Sequence, residues 1–243
     1  WTSVEFNNLQ STAVVLGVVV GLVSTGGFVQ VIGRQASFYW NYEDYLMTNK
    51  TINYLLKKGI LSIFFVLTSI FLINLFFHIY PYEILFVVFA YAFFIGLLLL
   101  VLAPLHTIKQ RWVITFSIFI GTVVAIYLKE TTSLLIFATH WIGIGITVII
   151  AKLFLVIYFH NLTKNKKSIS GNKIKAPVLL YHNYQFFFYG VFIYVFIFID
   201  RIMAWSSGIN GNLPFLVYFE KNYELGMDLS ILVFLLLSGV FEY

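Results

Sequence analysis

Cysteine is absent from this 243-residue sequence. Disulfides and thiolate metal sites are therefore excluded, and the redox compartment cannot be read from the chain. Charge is nearly absent too: 10% of residues are charged, against roughly 25% in a soluble domain, too few to cover a water-facing surface. The ten acidic residues are scattered. Membrane transferases that handle polyprenyl phosphates need clustered carboxylates for a metal, or a positioned base. Here only Glu224 and Asp228, four apart, share a helix face. The acidic pattern therefore argues against an enzyme, and it calls for no metal or other cofactor. Short segments of alternating polarity, the mark of a membrane β-barrel, are also missing.

What fills the chain instead is apolar: 60% of residues are hydrophobic and 20% aromatic. Long apolar runs occupy 12–32, 60–77, 84–102, 112–128, 134–158, 185–205 and 223–240. A run of this length in lipid must satisfy its own backbone, so each reads as a helix. The expected fold is all-α, a polytopic transmembrane bundle of about seven spans. In the first run Gly17 and Gly21 form a GxxxG, which lets another helix backbone approach closely. Arg34 closes that run, and Phe38, Tyr39, Trp40, Tyr42 and Tyr45 form an aromatic belt suited to the headgroup level. The stretch 39–58 is too polar to span and is expected to lie along the interface, with Glu43 and Asp44 solvated. Pro104 is expected to stop the third span.

The net charge of +5 resembles a nucleic-acid signal, but in a membrane chain it reads as positive-inside bias, and no nucleic-acid partner is expected. Eleven of the 15 basic residues fall in the loops after the first, third and fifth spans. Lys129, Arg201 and Lys221 fall on the other side, and Lys152 lies within a span. The basic side is expected to be cytoplasmic, which places the sequons at Asn49 and Asn161 inside and discounts them as glycan sites. The longest polar linker, 161–178, carries KNKKSISGNK and reads as a solvated basic loop. It separates 1–160, most of one helical lobe, from 179–243, the start of another. Trp1 stands where an initiator methionine would, and Tyr243 follows directly on an apolar run. The expectation is an internal piece of a longer protein.

Chemistry concentrates around the sixth run, which ends in Asp200, Arg201 and Trp205. The seventh begins with Glu224 and Asp228 in its first two turns. An ionisable cluster at membrane depth is by default a functional hypothesis. One reading is interfacial: Arg201 snorkels, Asp200 pairs with it, and the acids favour a helix N-terminus. The other has Arg201 bridge to Asp228 or Glu224 as a gate or a polar site along a path. His140 stands alone among Thr139, Trp141 and Gly143, either as a satisfied core histidine or as a proton carrier. Lys152, two turns from the basic end, is expected to snorkel.

Five spans, a basic linker, and FIYVFIFIDRIMAW with Tyr194, Asp200, Arg201 and Trp205 together resemble the middle of a polysaccharide exporter. The similar family is that of the Pel-type exopolysaccharide exporters, in the multidrug/oligosaccharidyl-lipid/polysaccharide flippase superfamily. The segment NYELGMDLSILVFLLLSGVFEY resembles the helix that follows there. GGFVQVIGRQASFYWNYEDY, with Arg34, looks like the family's second helix, although Gly26-Gly27 and the shifted Gln30 depart from it. The resemblance implies two six-helix lobes around a central cavity and transport by alternating access. It also implies a polysaccharide or lipid-linked sugar as substrate. Asp200, Arg201, Glu224, Asp228 and Arg34 would line the path or gate, and acidic residues would suit a partly cationic amino-sugar polymer. Membrane lipids, a cytoplasmic glycosyltransferase and other synthase subunits are the partners implied, in the cytoplasmic membrane of a bacterium. A membrane enzyme or a scaffold subunit of a synthase is the alternative.

Overall fold

The computed structural model describes residues 7–164, 181–207, 215, 217–219, 223–227, 229, 230, 232 and 233. Six long helices follow in order: α1 Asn8–Asn41, α2 Tyr45–Phe77, α3 Tyr82–Thr107, α4 Arg111–Thr131, α5 Ile136–Lys164 and α6 Tyr184–Ser207. Each is long and apolar enough to cross a membrane, and the described residues contain no strand. The chain is a multi-pass membrane protein. The described part of the seventh run, within 223–233, is also helical. The rest of that run, Asp228 and positions 165–178 of the basic linker lie outside the described residues.

The helices run alternately up and down. One end gathers Trp40, Gln110, Tyr158 and Asn183: Trp40 stacks on Tyr158, Gln110 bonds Tyr158, and Asn183 bonds Gln35. This is the end that carries Arg34, Lys50, Lys57, Lys58, Lys109, Arg111 and Lys164. The opposite, charge-poor end gathers Thr12, Tyr80, Trp205 and Phe219. The charge asymmetry in the sequence thus corresponds to the two ends of the bundle. Because the chain has no cysteine of its own, single cysteines at Lys109 and Thr132 should report from opposite faces. An impermeant maleimide on intact cells should label Thr132→Cys and leave Lys109→Cys unlabelled until the cells are opened. The reverse pattern would invert the orientation.

α1 lies at the centre, packed on α2, α3 and α6. Lipid offers apolar surface no reason to hide, so helix association in a membrane rests on close packing of small residues. The Gly17–Gly21 pair provides this. A methyl at Gly17 would sit 2.6 Å from Tyr91 Cβ, and one at Gly21 2.7 Å from the Ala92 carbonyl oxygen, both on α3. Between α1, α2, α3 and α5 the core is filled by Val31, Ile32, Leu55, Leu100, Leu155 and Phe159. Phe65, Phe76, Phe77, Phe119 and Leu135 point outward, as lipid-facing positions do.

Two expected boundaries move. The stretch 39–58 is not a separate interfacial segment. α1 continues to Asn41, the chain turns at 42–44, and α2 runs unbroken through Lys57 and Lys58 to Phe77. The reason is an amphipathic stripe: Thr48, Thr51, Ile52, Leu55 and Leu56 are buried, while Lys50, Lys57 and Lys58 face out. Asp44 is its N-cap, accepting from Met47 N at 3.0 Å. Pro104 does not stop α3, which runs one turn further to Thr107. In a last turn proline forfeits a single backbone bond, and its own carbonyl still accepts from Ile108 N at 3.0 Å.

Candidate functional site

At the charge-poor end, α6 carries Phe198, Asp200, Arg201 and Trp205 on its final turns. Arg201 turns inward. Its Nη1 donates to Glu224 Oε2 at 3.0 Å, and its guanidinium lies 5.8 Å from the Phe198 ring centroid. Arg201 is 8% exposed and Glu224 5%. Asp200 is exposed and accepts from the Arg201 backbone N at 2.9 Å. Of the two readings left open by the sequence, the structure thus realises the bridge from Arg201 to Glu224. Burying two charges is costly, and their attraction offsets that cost only while the pair is intact.

The residues between Trp205 and Glu224 tie this pair to the rest of the bundle. Tyr218 N donates to the Trp205 carbonyl at 3.1 Å. Phe219 N donates to Thr12 Oγ1 on α1 at 3.0 Å, and the Phe219 ring lies 6.1 Å from that of Trp205. Tyr80, in the turn between α2 and α3, stacks on Phe215. Its hydroxyl donates to the Val217 carbonyl at 3.0 Å and accepts from Val217 N at 3.2 Å. Asn74 holds the backbone of Tyr80 from both sides, at 2.8 and 3.0 Å. Residues 215 and 217–219 are thus strapped across α1, the α2–α3 turn and α6.

Burial raises the Tyr80 pKa above its ordinary value of 10, with the Val217 bond opposing. The neutral phenol is the form the strap needs. Its contribution is therefore complete below pH 10 and is lost as pH rises through the raised value. Tyr80→Phe removes two hydrogen bonds at once and should cost about 1–3 kcal/mol. That loss should appear as a lower melting temperature in detergent and faster protease cleavage between α6 and Glu224.

The other expected site residues lie elsewhere. Arg34 is exposed on α1 at the basic end, 5.0 Å from the ring centroid of Phe186. Phe186 and Arg201 are separated by about 22 Å of α6 at 1.5 Å per residue. Arg34 is therefore not brought to the Arg201 cluster. Asp228 is outside the described residues. His140 Nδ1 is hydrogen-bonded to Tyr91 OH at 3.0 Å, on the wall of a cavity lined by α3, α4 and α5. The Lys152 ammonium has a protein partner. Its Nζ donates to Asn53 Oδ1 at 3.0 Å, and Asn53 Nδ2 donates to Asn49 Oδ1 at 2.7 Å. The polar first half of α2 lies beside α5 at that depth and offers an acceptor within reach.

Sequence reasoning missed Thr12, Asn53 and Tyr80. Asn53, four residues after Asn49, could have been found as a polar pair on one helix face. Tyr80 and Val217 are far apart in the chain, and nothing local links them.

α6 itself is seated on α1, and no other described helix makes an extensive contact with it. The two backbones meet where Gly26 faces Gly190: a methyl on Gly26 would lie 2.5 Å from the Gly190 carbonyl oxygen. Beyond this crossing, polar contacts hold both ends of α6. Asn183 and Arg34 act at the basic end, and the strap with its ion pair at the other. No family model, curated protein or solved structure matches this chain.

Proposed function

We propose that this chain is part of a transporter that moves a polysaccharide or lipid-linked sugar across the cytoplasmic membrane of a bacterium by alternating access, like the Pel-type exporters it resembles. The observation that carries the reading is the buried Arg201–Glu224 pair at one end of a helix that rests on its neighbour through a glycine crossing. A buried pair is a poor way to gain stability but a good way to hold one of two arrangements. In this reading α1–α5 belong to one lobe and α6 opens the second. The ion pair and strap latch the outward end. A cationic amino-sugar competing for Glu224, beside the exposed carboxylate of Asp200, would release the latch as it passes.

The test uses the full-length protein in its producing cell, with polymer measured in the medium and inside the cell. A transporter mutant such as Glu224→Gln should make polymer or its lipid-linked precursor and retain it. If no polymer is made at all, the enzyme or scaffold reading takes its place.

A further inference from the structure

We propose that Trp205 is a sugar-binding platform, covered by the strap in this arrangement and occupied by a pyranose ring, an amino-sugar above all, once the strap is displaced. The inference rests on the transporter reading above and names the side chain that would hold the substrate when the latch opens. Trp205 is 1% exposed, yet its indole N–H has no hydrogen-bond partner among the described residues. An indole nitrogen can only donate. Buried donors are nearly always paired, so one left over calls for a reason. Packing is not that reason, since a purely apolar ring would fill the space without an orphan donor.

The surroundings say what the missing partner is. Trp205 follows Arg201 by four residues, so the two share one face of α6. Its ring is covered by Phe219, with centroids 6.1 Å apart and planes at 40°. Phe219 gives that ring carbon to pack on but no acceptor for its N–H. The cover is held by separate hydrogen bonds: Tyr218 N to the Trp205 carbonyl, Phe219 N to Thr12, and Val217 to Tyr80. A ligand displaces such a cover only through contacts that the covered state lacks. A pyranose supplies both, a face of C–H bonds for the indole and hydroxyl oxygens for Nε1. A lipid tail would supply the first alone, and an inorganic anion the second alone. An ammonium on the sugar adds attraction to the indole face. Glu224, bonded to Arg201 one turn back on α6, is the carboxylate for which that ammonium competes.

The experiment is hydroxyl-radical footprinting of the full-length protein in a sugar-free detergent, read residue by residue by mass spectrometry. The probes are the glucosamine tetramer and its N-acetylated counterpart. In the parent, Trp205 should resist oxidation while Trp112, 60% exposed, reacts. Tyr80→Phe acts on the strap at Val217 and should open Trp205 to oxidation. Either tetramer should then restore its protection, the cationic one at about two- to fivefold lower concentration. Because more of the protein is competent to bind, Tyr80→Phe should also take up the tetramers about tenfold more tightly than the parent. Trp205→Phe should bind them about tenfold more weakly, with helix content unchanged by circular dichroism. If Trp205 stays protected in Tyr80→Phe, the strap is not its cover and the proposal falls. If Trp205 opens but saturating tetramer leaves it oxidised, the platform falls while the latch stands. If the tetramers protect Trp205 in a protein whose Glu224→Gln variant makes no polymer, the platform stands and the transporter reading falls.

Discussion

Glu224→Gln should abolish most export, while Asp200→Asn, at the residue next to its partner, should leave it close to normal. The two carboxylates differ in their surroundings. Glu224 is buried against Arg201 at 3.0 Å, whereas Asp200 is exposed and bonds only a backbone amide among the contacts the structure gives it. Removing one member of a buried pair takes away the attraction that offsets the burial of the other charge, at a cost of about 3–5 kcal/mol. An exposed carboxylate contributes roughly 0–1 kcal/mol. Arg201→Gln should match Glu224→Gln for the same reason. If the pair acts as a latch, exchanging the two charges as Arg201→Glu with Glu224→Arg should recover part of the melting temperature and part of the export. The measurement is exported polymer normalised to membrane abundance, alongside thermal unfolding in detergent. Wild-type export in both single variants would reduce the pair to an anchor.

The helices were legible in the sequence because composition alone decides them: long apolar runs in lipid have no other way to bond their backbones. The ends of those helices were less legible. Polarity misplaced 39–58, since a half-buried amphipathic helix and an interfacial one share the same pattern of Lys and Thr. For Arg201, the sequence offered Glu224 and Asp228 on one face; the structure brings Glu224 to 3.0 Å, and Asp228 lies outside the described residues. Arg34 entered the candidate site through resemblance, although the charge pattern had already put it on the basic side, and the structure keeps it there. The strap was out of reach of any local rule. Tyr80–Val217 and Thr12–Phe219 are contacts between loop and helix ends, and neither periodicity nor motif encodes them.

The remaining large effect concerns the seat of α6. Gly190→Leu should unseat α6 from α1, whereas Gly33→Ala on α1 should be neutral or slightly stabilising. At Gly190 a side chain would drive into the Gly26 carbonyl oxygen, with Gln30 Cγ at 2.6 Å and the Gly26 carbonyl carbon at 2.8 Å. Two of these three neighbours are backbone, which cannot rotate away, so the helices must part. Overpacking costs about 1–3 kcal/mol even where side chains can yield. At Gly33 nothing lies within 4 Å of the added carbon, and alanine gains about 0.5–1 kcal/mol over glycine in a helix. The separation can be read directly, because the chain offers no competing thiol. Gln35 and Asn183, whose side chains bond at 3.1 Å, can be replaced by a cysteine pair and joined by a short bifunctional reagent. Cross-linking should be efficient in the parent and in Gly33→Ala, and lost in Gly190→Leu. Persistence of the cross-link in Gly190→Leu would mean that α6 is held by its two ends and not by the glycine crossing. The ion pair and strap would then carry the contact between α6 and the bundle, and releasing them should free the helix as a whole rather than tilt it about its middle.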